Sequence, residues 1–148
     1  MGERVVVGVD GSAPSVAALR WGARYAAAAG AQLVVLHVWD VPDGFGGLEL
    51  AAPDLRRDLE QIAAETLDAA VAAARSDAGA GVPVEGELRR GAARVELIEA
   101  SREADLLVLG NVGHGRLLGV LLGSVADHCV QRAHCPVTVV PVGDGGAP

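Results

Sequence analysis

The chain has no lysine; all 12 of its basic side chains are arginine. A Walker A loop needs a lysine on the β- and γ-phosphates, so a P-loop NTPase of that type is excluded. Schiff-base chemistry on a lysine amine is excluded with it. Aromatic residues make up only 3% of the sequence, so a core must be assembled from valine, leucine, isoleucine and alanine. Two cysteines, Cys129 and Cys135, are too few for a disulfide framework and are not spaced as C-x-x-C. They read as buried or half-buried thiols of a reducing compartment. Positive charge is short overall: the net charge of −7 argues against a nucleic-acid surface, which needs clustered cations. No apolar run approaches the roughly 20 residues of a membrane span. Met-Gly-Glu-Arg leads into a strand with no charged-then-apolar leader. The expectation is a cytoplasmic protein.

What the chain does have is hydrophobic residues, 51% of its 148 positions, enough for one domain with a real core. Val5, Val6, Val7 and Val9 form a β-branched run with no polar alternation, the signature of a strand buried on both faces. The turn Asp10-Gly11-Ser12 ends it. Ser12 is placed to cap a helix, with Pro14 in the first turn, where a missing N–H has no consequence. Val16, Leu19, Ala23 and Ala26 recur at helical spacing, Gly30 closes the helix, and Trp21 and Tyr25 fall off the stripe to cover an edge. Leu33 to Trp39 is a second buried strand that carries His37 as a core histidine. Residues 40–53 are irregular and read as a lid or a surface loop.

A long helix is predicted from Asp54 to about Ala78, with Leu55, Leu59, Ile62, Thr66, Ala70 and Ala73 inward. Val84 to Arg89 alternates as a half-exposed edge strand. Arg89 and Arg90 beside Gly91 read as a solvated charge pair, with an anion site as the alternative. Ala92 to Glu103 is a short helix with Val95, Leu97 and Ile98 inward. Residues 105–110 and 136–142 are the remaining strands. The order βαβαβαβαβ implies right-handed crossovers and a single-domain, five-stranded parallel sheet with helices on both faces, a Rossmann-like α/β fold. Strand order 3-2-1-4-5 places a crevice beyond the carboxyl ends of strands 1 and 4. Those ends are the acidic turn at Asp10 and a glycine-rich stretch, Gly110 to Ser124.

In that stretch Gly110-x-x-Gly113 is followed by nine residues and then Gly123-Ser124. Strand, glycine loop and helix start are how backbone N–H groups are aimed at a phosphate. The spacing resembles the nucleotide-binding motif of the universal stress protein family, in its ATP-binding branch, whose fold is adenine-nucleotide α-hydrolase-like. The resemblance extends to Val-Gly-Val-Asp-Gly-Ser at 7–12, Leu-His-Val at 36–38, Leu-Leu-Gly-Ser-Val at 121–125 and Cys-Pro-Val-Thr-Val-Val at 135–140. It implies a nucleotide-binding domain over 1–143, leaving 144–148 as a flexible tail. It places Val9 and Val38 on adenine, Leu109 and Gly110 against the nucleoside, and Asp10, with Gly11 and Ser12, near the ribose and a Mg²⁺ carried by ATP. Gly113, His114 and Gly115 would form the phosphate loop, with Arg116 a further polar contact. Gly123, Ser124 and Val125 would hold phosphate at a helix start.

Three features depart from the family pattern. Val112 stands where many members have His or Arg. Ala126 replaces a frequent hydroxyl residue. Ser124-x-x-Asp127 also reads as a capping box. His128, Cys129, His134 and Cys135 form at most a weak metal candidate, because helix neighbours point about 100° apart.

The leading expectation is a non-enzymatic, ATP-binding stress-response module with at most slow hydrolysis. The resemblance also implies a homodimer through the last strand, Val137, Thr138, Val139 and Val140, an apolar edge that benefits from cover. Two alternatives are a nucleotide-free protein acting through protein–protein contacts and an adenylating enzyme of the related hydrolase group. The latter lacks its S-G-G-x-D-S loop here, and a dinucleotide protein would need G-x-G-x-x-G after the first strand.

Overall fold

The computed structural model describes residues 2–41, 53–111 and 122–142. Within them the order is β1 (Arg4–Val9), α1 (Ala13–Ala29), β2 (Gln32–Trp39), α2 (Pro53–Ala78), β3 (Val84–Arg90), α3 (Ala93–Ser101), β4 (Leu106–Gly110), α4 (Ser124–Arg132) and β5 (Val137–Val140). The sheet runs β3-β2-β1-β4-β5 and every pairing is parallel, as expected. Residues 42–52 of the candidate lid, residues Val112, Gly113, His114, Gly115 and Arg116, and the tail 144–148 lie outside the described residues.

Alternation along the central strands builds two cores. Val5, Val7, Leu33, Val35 and Val108 face α1 and α2. Val6, Val34, Leu36, Leu107 and Leu109 face the layer of α3 and α4. All of these residues are almost completely buried, which is why the strands read as continuous apolar runs. Among the described residues no helix is long and apolar enough to cross a membrane.

Helix α1 begins and ends where its sequence signals lie. Ser12 caps it by accepting the Ser15 N–H, and Gly30 closes it in the left-handed region at φ 67°. Trp21 and Tyr25 stack with ring centroids 5.3 Å apart and cover the core edge.

Three helix faces differ from the sequence expectation. In α1, Val16 is exposed, while Ser15, Ala18 and Gly22 join Leu19, Ala23 and Ala26 inside. The sheet comes too close for a larger residue at Gly22, where a Cβ would sit 2.6 Å from Val7 Cγ2.

In α2 the inner stripe is Ala63, Leu67, Val71, Ala74 and Ala78; Ile62 and Ala73 face out. The stripe is set by its partner strand: Gly86 of β3 leaves room that Val71 and Leu67 fill, with Val71 Cγ2 only 2.8 Å from where a Gly86 Cβ would be. In α3, Leu97 is buried and Val95 is 50% exposed. Residues two apart on a helix lie about 200° apart, so both cannot face the sheet. Leu97 takes that place by packing over Gly8.

The capping box at α4 is not formed. Gly123 is the cap residue, with no side-chain capping bond, and Ser124 is already the first helical residue. The Asp127 N–H donates to Gly123 O at 2.8 Å as an ordinary helical bond.

Candidate functional site

The strand order reverses between β1 and β4, so the two crossovers leave on opposite faces and open a crevice at their carboxyl ends. A cavity of about 580 Å³, counted to its open mouth, occupies that place. Gly8, Leu36, Val38, Leu97 and Leu109 form its apolar walls, and Val9, Asp10, Ser12, Pro14, Ser15 and Gly110 line it at the ends of β1 and β4 and the start of α1. Ala93 of α3 and Val125 and Ala126 of α4 complete it. The starts of α1, α3 and α4 therefore converge on one space. Each helix start carries roughly half a positive charge from its unpaired N–H groups, so the rim favours an anion although the chain is acidic overall.

Of the residues expected here, Val9, Asp10, Ser12, Val38, Leu109, Gly110 and Val125 line the cavity. Gly11 does not; it forms the β1–α1 turn at φ 83°. Gly123 and Ser124 sit at the start of α4 outside the lining. Gly113, His114, Gly115 and Arg116 are outside the described residues. Sequence reasoning did not place Gly8, Leu36, Pro14, Ser15, Ala93 or Leu97 in the site, and it noted Ala126 only as a departure from the family pattern. Strand alternation carried a signal for Leu36, which shares a face with Val38 two residues on. Nothing local in the sequence marks Ala93 or Leu97, which arrive only through the crossover of α3.

Gly110 has a reason of its own. A Cβ there would lie 2.3 Å from the Pro14 carbonyl oxygen and 2.5 Å from its carbon. The residue is glycine because the end of β4 passes against the first turn of α1.

Asn111 is a second feature that the sequence reading missed. Its side-chain Oδ1 accepts the Gly123 N–H at 3.0 Å, and its own N–H donates to Val140 O at 3.0 Å. One side-chain amide thus ties the end of β4 to the start of α4. A polar residue directly after an apolar strand was the available signal.

Asp10 is fixed before any ligand arrives. Its Oδ1 accepts both the N–H of Ser12, at 2.9 Å, and the Ser12 hydroxyl. Partial burial pushes this carboxyl up, but the bonds from Ser12 and Ser15 and the neighbouring His37 outweigh burial and hold it below its ordinary value. His37 is buried and satisfied, as expected: its Nδ1 meets Val9 O at 2.7 Å.

Arg89 and Arg90 are held by carboxylates. Arg89 bonds Glu87 and reaches Glu96 at 3.6 Å, and Arg90 reaches Asp40 at 3.2 Å while lying 5.5 Å over the Trp39 ring. Among the described residues no group of three or more His, Cys, Asp or Glu side chains is placed to hold a metal. Cys129 is fully buried, and burial pushes its thiol up to about 11.

A family model described as the universal stress protein family matches residues 1–141. The universal stress protein Rv2624c of Mycobacterium tuberculosis is 35% identical over 136 residues, covering 92% of this chain and 47% of that protein. This chain spans about half the length of the curated relatives it matches. A universal stress protein crystallised in complex with cAMP is 30% identical with a TM-score of 0.68, covering 95% of this chain and 98% of that one. UspA from Lactobacillus plantarum shares the fold at a TM-score of 0.77 and 22% identity, over 93% of this chain and 97% of that chain. With the family model matched from the first strand to the end of the last, the chain belongs to the universal stress protein family.

Proposed function

We propose that this protein binds ATP with Mg²⁺ in the cleft between β1 and β4 and serves as a stress-response and signalling module rather than a catalyst. The observation that carries the proposal is the cavity itself: apolar side walls, one pre-fixed carboxylate, and three helix starts converging on the same space. An adenine ring would lie against Val9, Val38 and Leu109, on a wall that Leu97 and Leu109 build by packing over Gly8. Asp10 would take a ribose hydroxyl or serve as one ligand of a cation that arrives with the phosphates. The phosphates fall to the start of α4 and to the loop of Gly113, His114, Gly115, Arg116, Gly123 and Ser124. The cAMP complex of a relative supports the ligand class, an adenine nucleotide.

The two hydroxyls of the described lining are engaged within the chain: Ser12 donates to the Asp10 carboxylate and Ser15 to Ser12 O. Any hydrolysis is slow on this reading. The last strand supports a homodimer: among the described residues β5 pairs only with β4, and Val137 to Val140 are all half-buried, an edge that a second copy would cover. Residues 1–143 act as one nucleotide-binding unit, with 144–148 as its tail.

Native purification followed by denaturation, and identification of any released nucleotide, tests the reading directly. Titrations of ATP, ADP, AMP and cAMP with and without Mg²⁺ complete it. Micromolar binding of ATP that strengthens with Mg²⁺ is expected; no released nucleotide and no heat at millimolar ATP refute it.

A further inference from the structure

The Val9–Asp10 peptide bond has both of its polar atoms held by side chains. The Val9 carbonyl meets His37 Nδ1 at 2.7 Å, across the end of the β1–β2 ladder. The Asp10 N–H donates to Ser15 Oγ at 3.2 Å. Both holders are buried, His37 at 8% and Ser15 at 6% exposure. A carbonyl only accepts, so His37 must carry a proton on Nδ1. Ser15 is fixed in turn, because its hydroxyl donates to Ser12 O at 3.0 Å and its N–H to Ser12 Oγ at 3.4 Å. Ser12 then donates twice to the Asp10 carboxylate. The bonds from Asp10 N–H through Ser15 and Ser12 back to Asp10 Oδ1 close a ring around one residue.

Val9 is the last residue of β1 paired with β2, and Asp10 follows it outside the strand. Two side chains from different elements, β2 and α1, meet the peptide between them and fix the plane from which the Asp10 side chain departs. We infer that His37 and Ser15 are positioning residues that clamp the Val9–Asp10 peptide and preset the Asp10 carboxylate for its ligand. The ligand half of this rests on the nucleotide reading above; the geometric half does not.

Amide exchange followed by NMR tests the clamp without ligand. The Asp10 amide should exchange slowly in the wild-type protein. It should exchange at least about tenfold faster in Ser15→Ala and in His37→Leu, while the Val6 and Val7 amides inside β1 keep their rates. The His37 ring should carry its proton on Nδ1. An unprotected Asp10 amide in the wild type, or protection that survives both substitutions, overturns the clamp.

Calorimetry with MgATP tests the positioning. His37→Leu should weaken binding by about tenfold, the size of one net hydrogen bond. His37→Asn, which can present an amide N–H near the position of Nδ1–H, should return affinity to within about threefold. In an Asp10→Ala background His37→Leu should cost less than about twofold, because the residue acts through Asp10. Full additivity of the two losses, or no rescue by asparagine, refutes positioning. Wild-type protein that binds no adenine nucleotide refutes the functional reading, and the exchange rates then still decide the clamp.

Discussion

Replacing Gly110 by alanine should destabilise the protein before any ligand is considered. The new Cβ would stand 2.3 Å from the Pro14 oxygen, 2.5 Å from its carbonyl carbon and 3.0 Å from its Cβ. The first two are backbone atoms of the opening turn of α1, so no rotamer change relieves the clash. The end of β4 and the start of α1 must separate by about 1 Å to regain ordinary contact. That movement disturbs the β1–α1 turn, which holds Asp10. Overpacking of this kind costs about 1–3 kcal/mol, and rigid neighbours place Gly110→Ala near the upper end. For a chain of this size 3 kcal/mol corresponds to a Tm loss of roughly 6–12 °C.

Gly81→Ala is the control. No atom lies within 4 Å of its added Cβ and its φ is not positive, so its effect should stay within about 0.5 kcal/mol. Thermal and urea unfolding of nucleotide-free protein reads both variants. A Gly110→Ala protein that melts within about 2 °C of wild type refutes the packing argument. Loss of nucleotide binding at unchanged stability would make Gly110 a ligand-facing glycine instead.

Three further outcomes are expected. The Asp10 carboxyl titrates below its unfolded value of 3.8, so its stabilisation is complete above that value and lost as pH falls through the lower folded one. The Tm difference between wild type and Asp10→Asn should therefore hold from about pH 7 to about pH 4 and shrink below it; a difference that grows on acidification contradicts this. Leu67→Ala should cost about 2–4 kcal/mol in urea unfolding while Ile62→Ala stays near 0.5 kcal/mol, and equal losses would mean that the inner face of α2 is assigned wrongly. Native protein treated with iodoacetamide at about pH 8 should leave Cys129 unmodified by mass spectrometry until denaturant is added, since burial pushes its thiol up to about 11.

Strand positions and strand order were legible because the three central strands are buried on both faces, while β3 alternates as a half-exposed edge. Val5, Val6 and Val7 are apolar whichever way they point, so pattern and position coincide. Helix starts were legible where one side chain does the capping, as Ser12 does. Helix faces were not. Ile62 outweighs Ala63 in any hydrophobic count, yet Ala63 is the buried one, because the groove above β3 is shaped by Gly86 and admits Leu67 and Val71. Ser124 and Asp127 carry a capping pattern that the backbone does not use, since Gly123 already occupies the cap position.

The candidate site divides in the same way. Topology was readable from the strand and helix pattern: it brings the end of β4, where the glycine stretch begins, and the acidic turn after β1 to a strand-order reversal, because a βαβ chain with short connections has few topologies. The sequence by itself also determined the chemistry that is missing, since no fold supplies a lysine. Why particular residues stand there follows from packing between elements. Gly110 answers to the Pro14 backbone, Asn111 joins β4 to Gly123, and Ser15 and His37 grip the peptide before Asp10. Each of those partners is brought from another element by packing, and a contact between elements leaves no periodic trace in either one.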